Sequence, residues 1–232
     1  MSDLRIALVS EGPTDDVLLE SALKAILGQQ TFVLTLLRPE ATNPDFGGGW
    51  GGVLKWCAAT AKRWDGLLED DPLLVNFDLL IIHLDADVAH QAYANCGPAV
   101  EAMASHNNWP VLPCNQPCPP VEQTCKALQS VLTGWLSPVV LGAKTVVCLP
   151  AQSTGAWLAV ATLPSTHALL SNVECNQAVE DSLGSLTKQL KVKKSVLGYR
   201  AKADAIRQHW NQVKALCGQA AHFESAVQTV LR

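Results

Sequence analysis

LRIALVSEGPTDDVLLESAL, residues 4–23, decides the fold. The apolar run from Leu4 to Val9 reads as a strand buried on both faces, because strands covered on each side carry continuous apolar runs rather than alternation. It stops at Ser10-Glu11-Gly12-Pro13. A helix is expected next, with Thr14 as N-cap and Asp15 and Asp16 in its first turn, where carboxylates meet the positive end of the helix dipole. Val17, Leu18, Ala22, Leu23 and Ile26 then recur at helical spacing. Glu11 therefore stands where a buried strand gives way to a helix. In open α/β sheets that carboxyl edge is where ligands bind.

A second stretch repeats the arrangement. FDLLIIHLDADV, residues 77–88, reads as another buried strand ending in Asp85-Ala86-Asp87. Residues two apart on a strand share a face, so Asp85 and Asp87 are expected side by side, with His83 pointing the same way. Clustered carboxylates repel one another, and desolvation raises their pKa. A divalent cation relieves both penalties, and oxygen donors suit Mg²⁺ or Mn²⁺. Taken singly, each motif has a plain reading: an acidic helix start, and a solvated loop that caps a helix. Both in one chain, each directly after a buried strand, point to one site. His83 reads either as a satisfied core group or as a base.

The remaining elements follow in alternation. TFVLTLLRP (31–39) reads as a strand. ATNPDFGGGWGG (41–52) reads as a surface loop or a loop at the rim of the active edge. It lacks the GxxxxGK[ST] pattern of a phosphate-binding loop. Helices are expected from Val53 to Trp64, over 89–106 with an interruption at Gly97-Pro98, and from Val121 to Trp135. Residues 108–121 are rich in Pro and Cys and read as irregular. AKTVVCLP (143–150) is a further strand, and AQSTGAWLAVATL a helix capped by Ser153 or Thr154. From Glu174 onward the pattern is helical. The chain is thus expected to be α/β, with a mainly parallel sheet, helices on both faces and a mostly helical C-terminal region. Residues 1–150 would form the core and 151–232 a helical extension packed on it.

Charged residues make up 16% of the 232, below the usual share of about 25%, and there are seven tryptophans. Together these suggest an apolar contact surface for a protein partner or a second copy. A net charge of -4 disfavours non-specific nucleic-acid binding but leaves room for a local basic groove. KQLKVKKSVLGYRAK, residues 188–202, is the candidate. It reads as a solvated helix face or as phosphate contacts beside the acids, with Lys193 and Lys194 best suited to a phosphate or a developing oxyanion. No apolar run reaches the ~18 residues of a membrane span. MSDLRIALVS lacks the apolar core of a signal peptide, so a cytoplasmic protein without membrane contact is expected. Among eight cysteines, Cys114, Cys118 and Cys125 cluster without metal-site spacing, so free thiols are expected.

VSEGPTDDVLLE followed by LIIHLDAD resembles the two signature motifs of the Toprim (topoisomerase–primase) domain. The EGxTD form is most similar to the Toprim domains of OLD-type nucleases and of small stand-alone Toprim-like proteins of bacterial defence systems. The resemblance covers residues 4–90 or so. It implies a Toprim-like α/β fold, with Glu11, Asp85 and Asp87 as metal-binding acids and Asp15 as an accessory acid. It implies a divalent-metal-dependent endonuclease using Mg²⁺ or Mn²⁺ on DNA or RNA, acting as an effector in a defence or toxin-type system. In several such small proteins a segment resembling QSxEAW follows the last strand and supplies a further acid. Here Gln152-Ser153-Thr154-Gly155-Ala156-Trp157 has glycine at that place. That departure supports the alternative expectation, a catalytically weak or inactive module that docks to a partner such as an ATPase.

Overall fold

The structure, a computed structural model, describes residues 3–38 and 48–232. The expected glycine-rich loop therefore lies largely outside the described residues. A four-stranded, all-parallel sheet forms the centre, built from β1 (Leu4–Val9), β2 (Phe32–Arg38), β3 (Leu79–His83) and β4 (Thr145–Cys148) in the order β2-β1-β3-β4. Around it run α1 (Pro13–Leu27), α2 (Trp50–Arg63), α3 (Pro98–His106), α4 (Glu122–Leu136) and α5 (Gly155–Thr162). Five further helices close the chain: α6 (Val179–Ser185), α7 (Val196–Arg200), α8 (Ala203–Gln208), α9 (Trp210–Leu216) and α10 (Gly218–Val230). The architecture is the expected α/β class, with helices on both faces of the sheet and a helical C-terminal region.

The central strands are apolar throughout because both of their faces are covered. Ile6 and Leu8 of β1 and Leu79 and Ile81 of β3 point to one side, where they pack with Leu18, Leu19 and Leu23 of α1, with α5, and with residues of α8 to α10. Ala7, Val9, Leu80 and Ile82 point to the other, against Val53 and Leu54 of α2 and Leu128, Leu132 and Trp135 of α4. α5 is apolar on every side, and Gly155 through Ala161 are all buried. Such a helix can only sit inside the protein. Trp157 from α5 lies 5.4 Å from the Trp210 ring, edge-on, and 5.9 Å from Phe223, stacked.

The tryptophans pack against the two cores. Trp135, Trp157 and Trp210 are buried, and Trp50, Trp56, Trp64 and Trp109 pack against the second core. Two expectations are corrected. The cysteines are not all free thiols, since Cys118 is disulfide-bonded to Cys175 across 57 residues of sequence. No local spacing rule pairs residues that far apart, so only the tertiary fold reveals the bond. The basic stretch is not a helix face either. Residues 187–195 run through turns and irregular backbone, and α7 begins only at Val196. The residues at fault are Val192, which turns inward to the first core, and Ser195, whose hydroxyl caps α7 by accepting the Gly198 N–H. Among the described residues, no helix is long and apolar enough to cross a membrane.

The Trp157 cluster gives a stability prediction. Trp157→Ala should cost about 3–5 kcal/mol, and Trp157→Phe less, because the aromatic contacts partly persist. Urea denaturation checks this. A loss below about 1 kcal/mol for the alanine variant would contradict the assigned core.

Candidate metal centre

β1 and β3 pair in parallel with Val9 opposite Ile82, so their carboxyl ends emerge side by side. β1 leads into Ser10 and Glu11. The N-cap of α1 is Gly12, with Pro13 following, and not the expected Thr14. Proline suits this first helical position because it has no N–H to satisfy there and its φ is already helical. The Gly12 carbonyl accepts the N–H of Asp15 at 3.1 Å and that of Asp16 at 3.2 Å. Asp16 is held by the Ser10 hydroxyl, which donates to its Oδ1. Asp15 is turned inward, and its Oδ1 accepts from Thr154 Oγ1 at 2.7 Å.

β3 ends at His83, two residues before Asp85. Asp87 then falls in a short 3-10 helix, Ala86–His90, so strand alternation no longer governs the pair. Asp85 is buried and Asp87 is exposed. The turn is fixed through the backbone, because Ala86 N–H donates to Pro150 O at 3.0 Å and Asp87 N–H to Gln152 O at 3.0 Å. These bonds carry the β3–β4 pairing beyond the strands and bring Thr154 to the site. Thr154 N–H donates to Asp85 Oδ1 at 3.1 Å. His83 is fully buried, with Nε2 3.1 Å from the same oxygen, and its Nδ1 has no hydrogen-bond partner among the described residues. Glu11 Oε1 accepts the Asp85 N–H at 2.7 Å. At the described end of the glycine-rich segment, Gly49 N–H donates to the Glu11 carbonyl at 3.0 Å. Gly49 has φ +67°, a conformation that glycine accepts without strain.

Asp15, His83 and Asp85 are the buried set whose ligand atoms all lie within 4.8 Å of one another. Of the acids expected to share one ion, Asp85 is in this set. Glu11 adjoins it through the Asp85 backbone, and Asp87 lies on its exposed side. Asp15, expected one helical turn away, is in the set itself. Lys194 lies on the open side, where its ammonium donates to Glu180 of α6. Lys193 is exposed, and its carbonyl is taken up in a local turn by the Ser195 N–H. Sequence reasoning missed Glu180. Its only trace was the glycine at 155, which leaves room for an acid from elsewhere without saying which one.

Asp15 and Asp85 lie close enough for their charges to oppose one another. Burial, reinforced by the negative charge of Asp85, pushes the Glu11 carboxyl well above its ordinary range. Burial does the same to Asp85, with Asp15, Asp87 and Glu180 adding repulsion against the opposing Thr154 N–H. Asp87 is also raised, by desolvation first, with Lys194 partly offsetting it. Desolvation works against the charge of Lys194, yet Glu180, Asp85 and Asp15 outweigh it and raise the pKa of the ammonium. No protein-family model matches the chain, nor does any curated protein or any solved structure.

Raised carboxyls make stability depend on pH. The folded protein holds protons on Glu11 and Asp85 that the unfolded chain releases near pH 4 or so. Wherever the folded state binds more protons, stability falls as pH rises. This contribution is complete below the unfolded pKa and is lost as pH rises through the folded values. We expect metal-free protein to lose stability relative to Asp85→Asn as pH rises above about 4. Denaturation midpoints of the two proteins across that range check it, and the difference cancels paired acids elsewhere. A gap that is flat or changes in the opposite direction would contradict the electrostatic account.

Proposed function

We propose that the chain is a divalent-metal-dependent endonuclease that hydrolyses phosphodiester bonds in DNA or RNA. The resemblance of its two acidic motifs to the Toprim family leads us to place it as an effector of a bacterial defence or toxin-type system. The observation that carries the reading is the buried Asp15–His83–Asp85 cluster, adjoined by Glu11, at the carboxyl ends of adjacent parallel strands. Two carboxylates and a histidine buried within 4.8 Å of one another repel when the acids are charged, and an ion that joins them relieves that cost.

The donor set fits such an ion. Carboxylate oxygens suit Mg²⁺ and Mn²⁺, and a histidine nitrogen shifts the balance toward Mn²⁺. Asp15 and Asp85 would hold it, with His83 either a third donor or, through Nε2–H, the group that orients Asp85. When bound, the ion supplies Lewis acidity toward a phosphate oxygen and lowers the pKa of water. The protein's own residues supply geometry. Thr154 fixes Asp15 through its hydroxyl and Asp85 through its N–H. Glu11 holds the backbone of Asp85 in place by accepting its N–H. Lys194, on the open side, offers a positive charge to the nucleic-acid backbone. The glycine at 155, which suggested a docking module without catalysis, loses much of that force once Glu180 lies against it.

Purified protein should cleave plasmid DNA, single-stranded DNA or RNA with Mn²⁺ or Mg²⁺ and not with chelator. Asp85→Asn should reduce cleavage to background. Gel assays read both results. No cleavage of any of these substrates with either ion, or equal cleavage by Asp85→Asn, would overturn the proposal.

A further inference from the structure

Glu180 comes from α6, far from the motifs in sequence, yet its side chain closes one wall of the same centre. A Cβ built on Gly155 would lie 2.4 Å from Glu180 Cγ and 3.1 Å from its Cδ. The neighbouring Thr154 is the residue that bonds both Asp15 and Asp85. The Glu180 side chain is only 15% exposed, and two donors claim its carboxylate. Tyr199 OH donates to Oε1 at 2.5 Å from the buried side. Lys194 Nζ, on a side chain 60% exposed, donates to Oε2 from the solvent side. The negative charge of Glu180 is felt by both Asp85 and Asp87.

The geometry points to Glu180 as a reserve ligand of the metal centre, held by Lys194 in the metal-free protein and released to a divalent ion that displaces the lysine. This rests on the metal-dependent reading above. An ion pair with one partner in solvent is weakly held. A divalent ion among several carboxylates attracts Glu180 more strongly than one hydrated ammonium does. Tyr199 keeps the carboxylate aimed while the partner changes. The displaced Lys194 then becomes available to a phosphate, so ion loading and backbone binding are coupled. Gly155 is part of the device, because any side chain there would occupy the space that Glu180 needs.

A purely structural Glu180–Lys194 pair, tying α6 to the segment that leads into α7, makes a different prediction for each variant. Mn²⁺ affinity of the full chain, measured by calorimetry, separates the two. Glu180→Gln should weaken Mn²⁺ binding by about 10-fold or more. Lys194→Met should tighten it, because the competing cation is gone. In a Glu180→Ala background, Gly155→Glu should recover affinity by supplying a carboxylate to the same space from α5. Circular dichroism confirms that each variant is folded, and if Glu180→Gln does not fold, Lys194→Met carries the test alone. If Glu180→Gln and Lys194→Met both bind Mn²⁺ as wild type does, the inference is overturned. If wild type binds Mn²⁺ and Asp85→Asn does not while Glu180→Gln is unchanged, only this inference fails. If wild type binds no Mn²⁺, the metal-dependent reading fails and takes the inference with it.

Discussion

Asp85 N–H reaches Glu11 Oε1 at 2.7 Å because β1 and β3 run parallel with Val9 opposite Ile82. The rest of the site depends on that pairing. It brings two strand exits to one edge, each with an acid immediately beyond it. β3 also pairs with β4, His83 opposite Cys148, and backbone bonds beyond those strands carry the chain to Thr154. Residues from both strand exits, from α1 and from the start of α5 thus converge without a long loop to hold them.

Asp71 shows what the site is not. It too is fully buried, but Arg63 donates to it, and Leu73 N–H donates to its Oδ1 at 2.9 Å. A buried acid with its own guanidinium is satisfied, and such a pair is ordinary structure. Among the described residues, no lysine or arginine is bonded to Asp85. Its contacts are a histidine and a backbone N–H, and the charged groups beyond are mostly acids. Packing elsewhere offsets this local penalty, including the Trp157–Trp210–Phe223 contacts of the first core. Unfavourable electrostatics concentrated at one place while the surrounding core is well packed is a common mark of functional sites.

The sheet was legible because burial on both faces writes itself as continuous apolar runs, and Leu4 to Val9 and the residues around Ile81 carry that signature plainly. The acids were legible for a related reason, since polar residues directly after such runs have nowhere to go but the sheet edge. Finer geometry was not. Thr14 has the chemistry of a cap, but Pro13 begins the helix earlier and makes Gly12 the cap. Asp87 follows the spacing rule of a strand, but the strand stops at His83 and a 3-10 helix turns Asp87 toward solvent. The lysines of 188–202 look helical by composition, yet inward-facing Val192 and the Ser195 cap break the stretch. Cys118–Cys175 and Glu180 depend on contacts between segments far apart in sequence, which no local pattern records.

The C-terminal helices change character in this light. α5 is buried on every side, and much of its cover comes from α8 to α10. A helix enclosed in that way has little freedom to tilt, so the Thr154 N–H and hydroxyl at its start are held in fixed positions. Those groups set the spacing between Asp15 and Asp85. Residues that never approach the acids therefore control their geometry, through packing on Trp157 and its neighbours. The same region supplies Glu180, with Tyr199 bonded to it from the buried side and Lys194 from the solvent side. Motif and extension therefore meet at one place: the first supplies the buried acids, and the second packs around Thr154, which bonds two of them.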